Sequence, residues 1–509
     1  MLVGGRAADH RNFQIALLGV VAGTLLLSGC VSGGQPEPIG PEGLPVYYEQ
    51  TLDWTDCGQN ECATLTVPKD YSDLTVGDME IALLRSPASQ GDRGTLVVNP
   101  GGPGGSGTDY AAAASSIVGP EVAAQFDIVG FDPRGVGRSQ PVKCLTDEEL
   151  DEWLALDGNP SDAAEVEQLR QAAAEFGARC AAESPDTYAY VSSAAVVKDM
   201  DILRAALGEE QLDYLGKSYG TALGAMYAEE YPDRVGRFVL DGMLDPALSA
   251  QEVAHGQAKG FEDTLRRFVA KCQRDGNCPL RSKDVDGGVA EIQEFLDGLA
   301  DEPLQAQPDR PLTQSLGLGA ILYYLYFPSF GDWDKLEGGL RDAFNGDGST
   351  LLTMYDERLD RTAQGHYRNN SNEVFYAVTC LDRPAESDPA VLAQRAQEWS
   401  DDAPTFGSYL AWSDLVCGQW PTPATGEPVK VTAEGANPIL IVSTTHDPAT
   451  PYEWAEQVND RLASSQLVTW DADGHTAYGQ GSDCVDKVVD AYLLDGTVPE
   501  EPVQCPEKS

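Results

Sequence analysis

Basic residues are scarce in this chain. Its 509 residues include 34 lysines and arginines but 81 aspartates and glutamates, which gives a formal net charge of −47 at pH 7. A surface this acidic repels nucleic acid and anionic membranes, so neither is expected as a partner. A strongly solvated exterior is the ordinary explanation. Adaptation to high salt, or attraction of cationic substrates such as free amino termini, are the alternatives.

The spacings typical of metal and phosphate sites are missing. No Cys-x-x-Cys occurs among the 11 cysteines, and no histidine lies beside the closely spaced ones. This pattern disfavours a structural zinc site, and we expect no metal. The glycine-rich segment at residues 99–105 has neither a following G-K-[ST] nor the spacing of a dinucleotide fingerprint. No cofactor is therefore predicted.

The N-terminal apolar run is too short to be a permanent membrane span. Phe13 to Leu27 provides about 15 residues, the length of a signal-peptide core, whereas a spanning helix needs ~20. The run ends in LSGC (residues 27–30), which resembles the lipobox of bacterial lipoproteins. We expect a signal peptide over residues 1–30, a lipid anchor at Cys30, a Gly/Pro-rich tether over 31–46, and a location outside the cell membrane. Plain secretion is the alternative.

The remaining ten cysteines form an even set, which in an exported chain indicates disulfides. Pairing in the order of the sequence is the simplest arrangement, and two of the resulting loops are short enough for proximity to favour them. The expected pairs are Cys57–Cys62, Cys144–Cys180, Cys272–Cys278, Cys380–Cys417 and Cys484–Cys505.

Short β-rich runs alternate with helical stretches in the first half of the chain, the pattern of a parallel sheet with crossover helices. The pattern becomes mainly helical after about Ser249 and returns to apolar strands at residues 438–442 and 466–470. We therefore predict an α/β domain over residues 47–248 and 429–509, interrupted by a helical lid insertion over 249–428. The strand candidates of the first half are Met79–Leu84, Thr95–Asn99, Asp127–Phe131, Leu212–Leu215 and Arg237–Leu240.

A Gly-x-Ser-x-Gly pentapeptide, GKSYG (residues 216–220), directly follows a strand candidate and precedes a helical stretch. Alone it is a weak signal in a chain with 52 glycines. A strand, a sharp turn and a helix are, however, what a nucleophile elbow requires, because the glycines permit the turn and the serine oxygen projects at the helix N-terminus. This context predicts Ser218 as a nucleophile.

Histidines are few, which narrows the choice of catalytic base. A nucleophilic serine needs a histidine to accept its proton and an acid to orient that histidine. Of the five histidines, His475 directly follows the last strand candidate, and Asp447 follows the one before it. Ser218, Asp447 and His475 then occur in the chain order of α/β hydrolases. Asp471 and Asp473 are the alternative acids.

The glycine-rich segment NPGGPGG (residues 99–105) follows a strand and is suited to donate to an oxyanion. Pro100 and Pro103 have no N–H to donate. Gly101 or Gly102 remains, and we favour Gly102. The N–H of Tyr219, the residue after the nucleophile, is the expected second donor.

Several motifs together resemble the prolyl-aminopeptidase-like serine peptidases of the α/β-hydrolase superfamily, in particular the secreted tripeptidyl aminopeptidases of actinobacteria and the mycobacterial cell-envelope hydrolases. These are the glycine-rich segment, DPRGVGRS (132–139), GKSYGT (216–221), and the surroundings of Asp447 and His475. The resemblance covers about residues 50–500. It implies an α/β-hydrolase fold with a mostly parallel central sheet, helices on both faces, and a helical lid that binds a free amino terminus.

Two further positions bear on specificity. Prolyl aminopeptidases usually have histidine where this chain has Pro100, so a preference for proline is not implied. The segment EVFYAVTCLD (373–382) resembles the tripeptidyl group, with Cys380 as a disulfide partner. Such enzymes use lid carboxylates to bind the substrate ammonium, and Glu373 is our candidate.

Three functions from different classes fit these observations. The first is an exported serine aminopeptidase that releases short peptides from peptide or protein substrates. The second is a carboxylesterase or lipase of the cell envelope, because a catalytic triad does not choose between ester and amide. The third is a non-catalytic envelope lipoprotein, which the presence of Ser218, Asp447 and His475 disfavours.

Overall fold

The structure, a computed structural model, describes residues 44–91 and 93–506. The expected signal peptide, the candidate lipidation site Cys30 and nearly all of the expected tether lie outside these residues. Among the described residues, no helix is long and apolar enough to cross a membrane.

A ten-stranded sheet organises the chain, in the order β1-β2-β3-β5-β4-β6-β7-β10-β11-β12. Its strands are β1 (Thr55–Cys57), β2 (Asn60–Pro68), β3 (Asp78–Ser86), β4 (Thr95–Asn99), β5 (Asp127–Phe131), β6 (Leu212–Lys217), β7 (Val235–Asp241), β10 (Ile439–His446), β11 (Ser465–Asp473) and β12 (Val503–Cys505). Every neighbouring pair from β5 through β12 is parallel. The edge formed by β1, β2 and β3 is antiparallel.

The central strands are nearly continuous apolar runs because both of their faces are covered. In β4, Val97 packs into the core on one face, while Leu96 and Val98 pack into the core on the other. All three side chains are fully buried. The prediction of a mostly parallel sheet with helices on both faces is confirmed.

Helices lie before, between and after the strands in the described part of the chain. They are α1 (Pro45–Tyr48), α2 (Gly107–Ala112), α3 (Ala114–Ile117), α4 (Pro120–Gln125), α5 (Asp147–Ala155), α6 (Ala163–Glu183), α7 (Ser193–Ala206), α8 (Tyr219–Glu230), α9 (Ala250–Asp275), α10 (Val285–Asp301), α11 (Gln314–Leu325), α12 (Asp332–Phe344), α13 (Ser349–Arg358), α14 (Ser371–Asp382), α15 (Pro389–Asp402), α16 (Gly407–Ala411), α17 (Asp414–Gly418), α18 (Tyr452–Arg461) and α19 (Asp483–Asp495). Residues of α7, α8 and α18 line the core on one face of the sheet, and residues of α2, α4 and α19 line the core on the other.

Helices α9 to α17 lie between β7 and β10, in the part of the sequence where a helical insertion is expected. Helix α9 begins at a capping box, in which Ser249 and Glu252 bond each other's backbone N–H, and ends at Gly276 in the left-handed conformation. Most of this segment packs around an apolar core of its own. It also contains the strand pair β8 (Leu304–Gln307) and β9 (Arg310–Leu312), which are too short to give a clear sequence pattern.

The described residues contain five disulfides, and their pairing is the one expected from the order of the sequence. The bonds join Cys57 to Cys62, Cys144 to Cys180, Cys272 to Cys278, Cys380 to Cys417, and Cys484 to Cys505.

Candidate active site

Ser218 occupies a strained turn between β6 and α8. Its backbone has φ +56° and ψ −125°, a conformation that residues other than glycine rarely adopt. Such strain persists only where the surroundings hold it, and here the Ser218 N–H donates to the carbonyl oxygen of Asp241 at 2.9 Å. A Cβ on Gly216 would lie 2.4 Å from the carbonyl oxygen of Gly220, so this turn requires a glycine there.

His475 and Asp447 form a buried pair at the carboxyl edge of the sheet. Asp447 directly follows β10, and His475 lies two residues beyond β11. The Nδ1 atom of His475 lies 2.8 and 2.9 Å from the two carboxylate oxygens of Asp447. The carboxylate is fixed in turn by the backbone N–H groups of Ala449 and Thr450, each at 2.9 Å.

The pairing with Asp447 determines which nitrogen of His475 is available for chemistry. Because Nδ1 faces a carboxylate, it carries the proton, and Nε2 is left as an acceptor. Within the described part of the chain, Nε2 is buried and has no hydrogen-bond partner. His475 is thus oriented by its acid and has a free basic nitrogen.

Ser218 and His475 line the same cavity, which has a volume of about 210 Å³. Aromatic and aliphatic side chains form one part of its walls, and polar side chains, among them that of Lys217, form the rest. The apolar part includes Tyr110, Ile117, Phe327 and Phe330. No aspartate or glutamate is found among the described residues that line it. The described lining thus offers no carboxylate to a substrate ammonium next to the serine.

The alternative acids face other partners. Asp473 forms an ion pair with Arg267 of α9. Asp471 accepts a hydrogen bond from the Thr445 hydroxyl at 3.1 Å. Of the three candidate carboxylates, Asp447 is the one that contacts His475.

The glycine-rich segment lies directly against the nucleophile. A Cβ on Gly101 would be 2.9 Å from the Cβ of Ser218, so a side chain there would displace the serine. The Gly101 N–H already donates to Asn99 Oδ1 at 2.9 Å, which leaves Gly102 as the candidate donor of this segment. The N–H of Tyr219 lies in the first turn of α8, where an N–H has no acceptor within the helix.

The side chain of Tyr219 takes part in a series of side-chain hydrogen bonds that the sequence did not reveal. Its hydroxyl lies 2.6 Å from the Ser193 hydroxyl, which in turn donates to Asp382. Burial raises the pKa of the Asp382 carboxyl to about 6. These hydrogen bonds connect α8, α7 and α14 and thereby fix the start of α8, the helix that follows Ser218.

One face of helix α9 contacts the loop that carries Asp447. Gln257 donates to the carbonyl oxygen of Ala449 at 3.0 Å, and Asp263 pairs with His446 at 3.1 Å. Between them, Gly260 approaches the Asp447 loop so closely that a Cβ would lie 2.6 Å from the carbonyl oxygen of Pro448. The first helix of the insertion is therefore attached to the catalytic edge of the sheet.

The segment after α11 contacts the histidine itself. The His475 N–H donates to the carbonyl oxygen of Tyr326 at 2.8 Å. The Tyr326 ring meets the imidazole edge-on, with 5.4 Å between ring centroids. The insertion thus supplies part of the surroundings of the candidate base.

The structure places Glu373 away from the cavity at Ser218, and its role as the partner of the substrate ammonium stays a prediction. Its carboxylate accepts the backbone N–H groups of Cys144 and Leu145, at 2.5 and 2.9 Å. The residue is buried and does not line the cavity at Ser218. Its partners lie in another loop, which sequence could not show, and this geometry assigns Glu373 to holding that loop.

A strained serine on a strand–turn–helix elbow, beside a histidine oriented by a buried aspartate, defines a serine hydrolase of the α/β-hydrolase fold. The comparisons with known proteins agree with this class. Residues 403–505 match the family described as "TAP-like protein". The chain is 36% identical to the serine protease Hip1 of Mycobacterium tuberculosis, over 96% of each chain.

Two further relatives carry different names. A protein of Mycobacterium tuberculosis named carboxylesterase B is 36% identical, with 97% of this chain and 98% of that protein covered. The tripeptidyl aminopeptidase of Streptomyces lividans is 31% identical, with 89% and 86% covered. The chain belongs to the TAP-like family of α/β-hydrolase serine hydrolases, as its motifs indicated.

Proposed function

We propose that this protein is an exported serine aminopeptidase that releases short peptides from the free amino termini of peptides or proteins. Ser218 is the nucleophile, His475 the general base, and Asp447 the acid that orients it. The N–H groups of Gly102 and Tyr219 stabilise the oxyanion. The observation that carries the proposal is the free Nε2 of His475, in a cavity that it shares with Ser218.

In this mechanism the Ser218 oxygen attacks the scissile carbonyl carbon while His475 Nε2 takes the serine proton. The imidazolium is stabilised by Asp447 and then gives its proton to the leaving amine, as the carbon–nitrogen bond breaks. A water molecule next attacks the acyl-serine, and the same nitrogen accepts a proton from it. As the bond between the acyl carbon and the Ser218 oxygen breaks, the imidazolium gives this proton to the serine oxygen, which restores the hydroxyl and releases the acid product.

The position of the substrate ammonium follows from chain length. A tripeptide in extended conformation spans about 10 Å. Its amino terminus would therefore lie beyond the cavity at Ser218, whose described lining contains no carboxylate. The strong negative charge of the chain favours a cationic terminus at longer range.

A carboxylesterase is the second candidate. The aromatic and aliphatic walls around Ser218, among them Phe327, Phe330 and Ile117, suit an uncharged acyl or alkoxy group. The relative named carboxylesterase B is as similar to this chain as the relative named serine protease.

Paired substrates separate the two functions. A free amino terminus is cationic near neutral pH, and its charge-assisted hydrogen bonds contribute about 1.5–3 kcal/mol. We expect kcat/KM for tripeptide anilides to fall at least ~10-fold on N-acetylation, and up to ~100-fold. Equal rates on free and acetylated substrates would reject the aminopeptidase. Faster hydrolysis of short-chain nitrophenyl esters than of any tripeptide would favour the esterase.

The role of Ser218 is tested by Ser218→Ala, which should remove nearly all turnover and all labelling by a fluorophosphonate while leaving the fold intact. Circular dichroism of the variant checks the fold. Stoichiometric labelling of the variant would mean that another serine is the nucleophile.

We further propose that the mature protein begins at Cys30 and is held on the outer face of the cell membrane by a lipid on that residue. The signal-like N-terminus and the lipobox-like tetrapeptide support this, and five disulfides fit an oxidising compartment. Mass analysis of the mature amino terminus tests it. An unmodified terminus downstream of Cys30 would contradict the anchor and favour secretion.

A further inference from the structure

A buried ion pair that the catalytic scheme does not use lies between the nucleophile elbow and the histidine loop. Lys217 is the last residue of β6 and Asp241 the last residue of β7, and both are buried. The lysine Nζ lies 3.3 Å from Asp241 Oδ2. Burying two charges is costly unless further hydrogen bonds satisfy both groups, so their other partners are informative.

Asp241 contacts both sides of the candidate active site through different atoms. Its backbone oxygen accepts the N–H of Ser218 at 2.9 Å. Its carboxylate accepts the N–H groups of Ala477 and Tyr478, at 2.8 and 3.0 Å. One residue therefore connects the main chain of the nucleophile with the main chain just after His475.

Lys217 completes this connection. Its Nζ donates to the carbonyl oxygen of Tyr478 at 2.6 Å. Burial alone would lower the pKa of Lys217, but the neighbouring Tyr110 and Asp241 outweigh it, and the pKa is raised. The lysine is thus charged at neutral pH and holds the loop at a second point.

The loop needs such support because its backbone is strained. Thr476, directly after His475, has φ +64°, an outlying conformation for a β-branched residue. Its N–H donates to Asp447 Oδ2 at 3.2 Å. The loop is fixed by Asp447 at Thr476 and by Asp241 at the next two residues, and strain of this kind persists only where the surroundings determine the geometry.

We propose that Lys217 and Asp241 are positioning residues that hold His475 Nε2 at the distance and angle from which it can take the proton of Ser218. The inference rests on the proposed catalytic roles of Ser218 and His475. Asp241 does not line the described cavity, although its partners Lys217 and Tyr478 do, so Asp241→Asn leaves the chemistry of the walls unchanged while it weakens the alignment of the two reacting groups. A displacement of ~1 Å can cost on the order of 100-fold in rate.

The decisive variant is Asp241→Asn, compared with Asp245→Asn as a matched control. Asp245 lies four residues further on, is also buried, pairs with Arg461, and accepts the N–H of Ala247 at 2.9 Å. Both variants remove one buried carboxylate charge next to β7. We expect Asp241→Asn to lower kcat by roughly 10- to 100-fold with KM within about 2-fold, and Asp245→Asn to change kcat by less than about 2-fold.

A second variant decides the question if Asp241→Asn does not fold. Lys217→Gln keeps a donor for the Tyr478 carbonyl but removes the charge. Because Lys217 also lines the cavity, the KM of this variant is not part of the test. Lys217→Gln should lower kcat as Asp241→Asn does, and adding it to a folded Asp241→Asn should cost little more in kcat, because the two residues act as one unit. Thermal melting of each variant, with kcat calculated per active site titrated by fluorophosphonate, separates lost folding from lost positioning.

The outcomes distinguish this inference from the proposed function. If folded Asp241→Asn or Lys217→Gln keeps the kcat of the parent enzyme while Ser218→Ala is inactive, the positioning role is overturned and the proposed function stands. A loss in Asp245→Asn as large as that in Asp241→Asn also overturns it, since the effect would then be general destabilisation. Parent-like turnover in Ser218→Ala overturns the proposed function, and the positioning role with it.

Discussion

The loops that carry Asp447 and His475 are held on two sides by contacts of different chemistry. On the sheet side, the Lys217–Asp241 pair is buried, with side-chain exposures of 11% and 0%. On the insertion side, Arg267 and Asp473 are 37% and 22% exposed. Water and salt screen the second pair far more than the first. The difference indicates that buried charge aligns the reacting groups, whereas helix α9 holds the loops chiefly by its close fit at Gly260.

The largest effect is expected for a change at the candidate acid, Asp447. Asp447→Asn keeps the shape but favours the wrong tautomer of His475, so kcat should fall by about 10³- to 10⁴-fold. Steady-state kinetics and the rate of fluorophosphonate labelling measure it. Asp471→Asn is the control and should stay within about 2-fold, because its exposed carboxylate contacts Thr445. Parent-like activity of Asp447→Asn would reassign the acid.

The fit of α9 is tested by Gly260→Ala, whose added Cβ would lie 2.6 Å from the Pro448 oxygen. The helix or the Asp447 loop must then move, and we expect kcat to drop about 10-fold. Gly298→Ala in α10 is the matched control, since a Cβ on Gly298 would meet nothing within 4 Å. The control should instead raise stability by up to ~1 kcal/mol through helix propensity. Equal behaviour of the two variants in kinetics and melting would reject the importance of the close approach.

Removal of the partly exposed ion pair between Arg267 and Asp473 should have a smaller effect, which depends on salt. Arg267→Ala is expected to lower kcat/KM by about 2- to 3-fold in dilute buffer, and the loss should vanish near ~1 M salt. Arg266→Ala, which removes an exposed arginine of the same helix that pairs with Asp286, controls for the charge change. A loss that persists in high salt would mean that Arg267 acts through packing instead.

The smallest effect is expected at His446, next to the candidate acid Asp447 in sequence. Its ring pairs with the half-exposed Asp263, and His446 is not among the described residues that line the cavity. His446→Gln should therefore change kcat/KM by less than about 2-fold between pH 6 and 8. His366→Gln, at another exposed histidine–aspartate pair, is the comparison. A loss near that of Asp447→Asn would show that His446 takes part in proton transfer.

What the sequence predicted well was local. A strand that runs directly into GKSYG, and a histidine and an aspartate that each follow an apolar strand, are signals within about ten residues. The disulfides could be paired because each joins a cysteine to the next one along the chain. The sheet was predictable because strands buried on both faces, such as β4, are nearly continuous apolar runs.

What the sequence did not reveal depends on contacts between distant segments. Asp241 ends β7 and Ala477 follows β11, so their hydrogen bond depends on the sheet order β7-β10-β11 and joins residues 236 positions apart. Gly260 is unremarkable in a helical sequence until α9 meets Pro448. The insertion is acidic throughout, so composition does not distinguish Glu373 from its other carboxylates or show that this one faces Cys144.

The disulfide pattern has a consequence for how the chain matures. Each of the five bonds joins a cysteine to the next one along the chain, and the widest separation is 37 residues. An oxidase that joins cysteines in the order in which they emerge from a translocation pore would produce the native set without reshuffling. If Cys30 kept a free thiol, the same oxidase would join Cys30 to Cys57 and displace every later pairing by one cysteine. On the proposed anchor, acylation of Cys30 therefore also protects the register of every later bond.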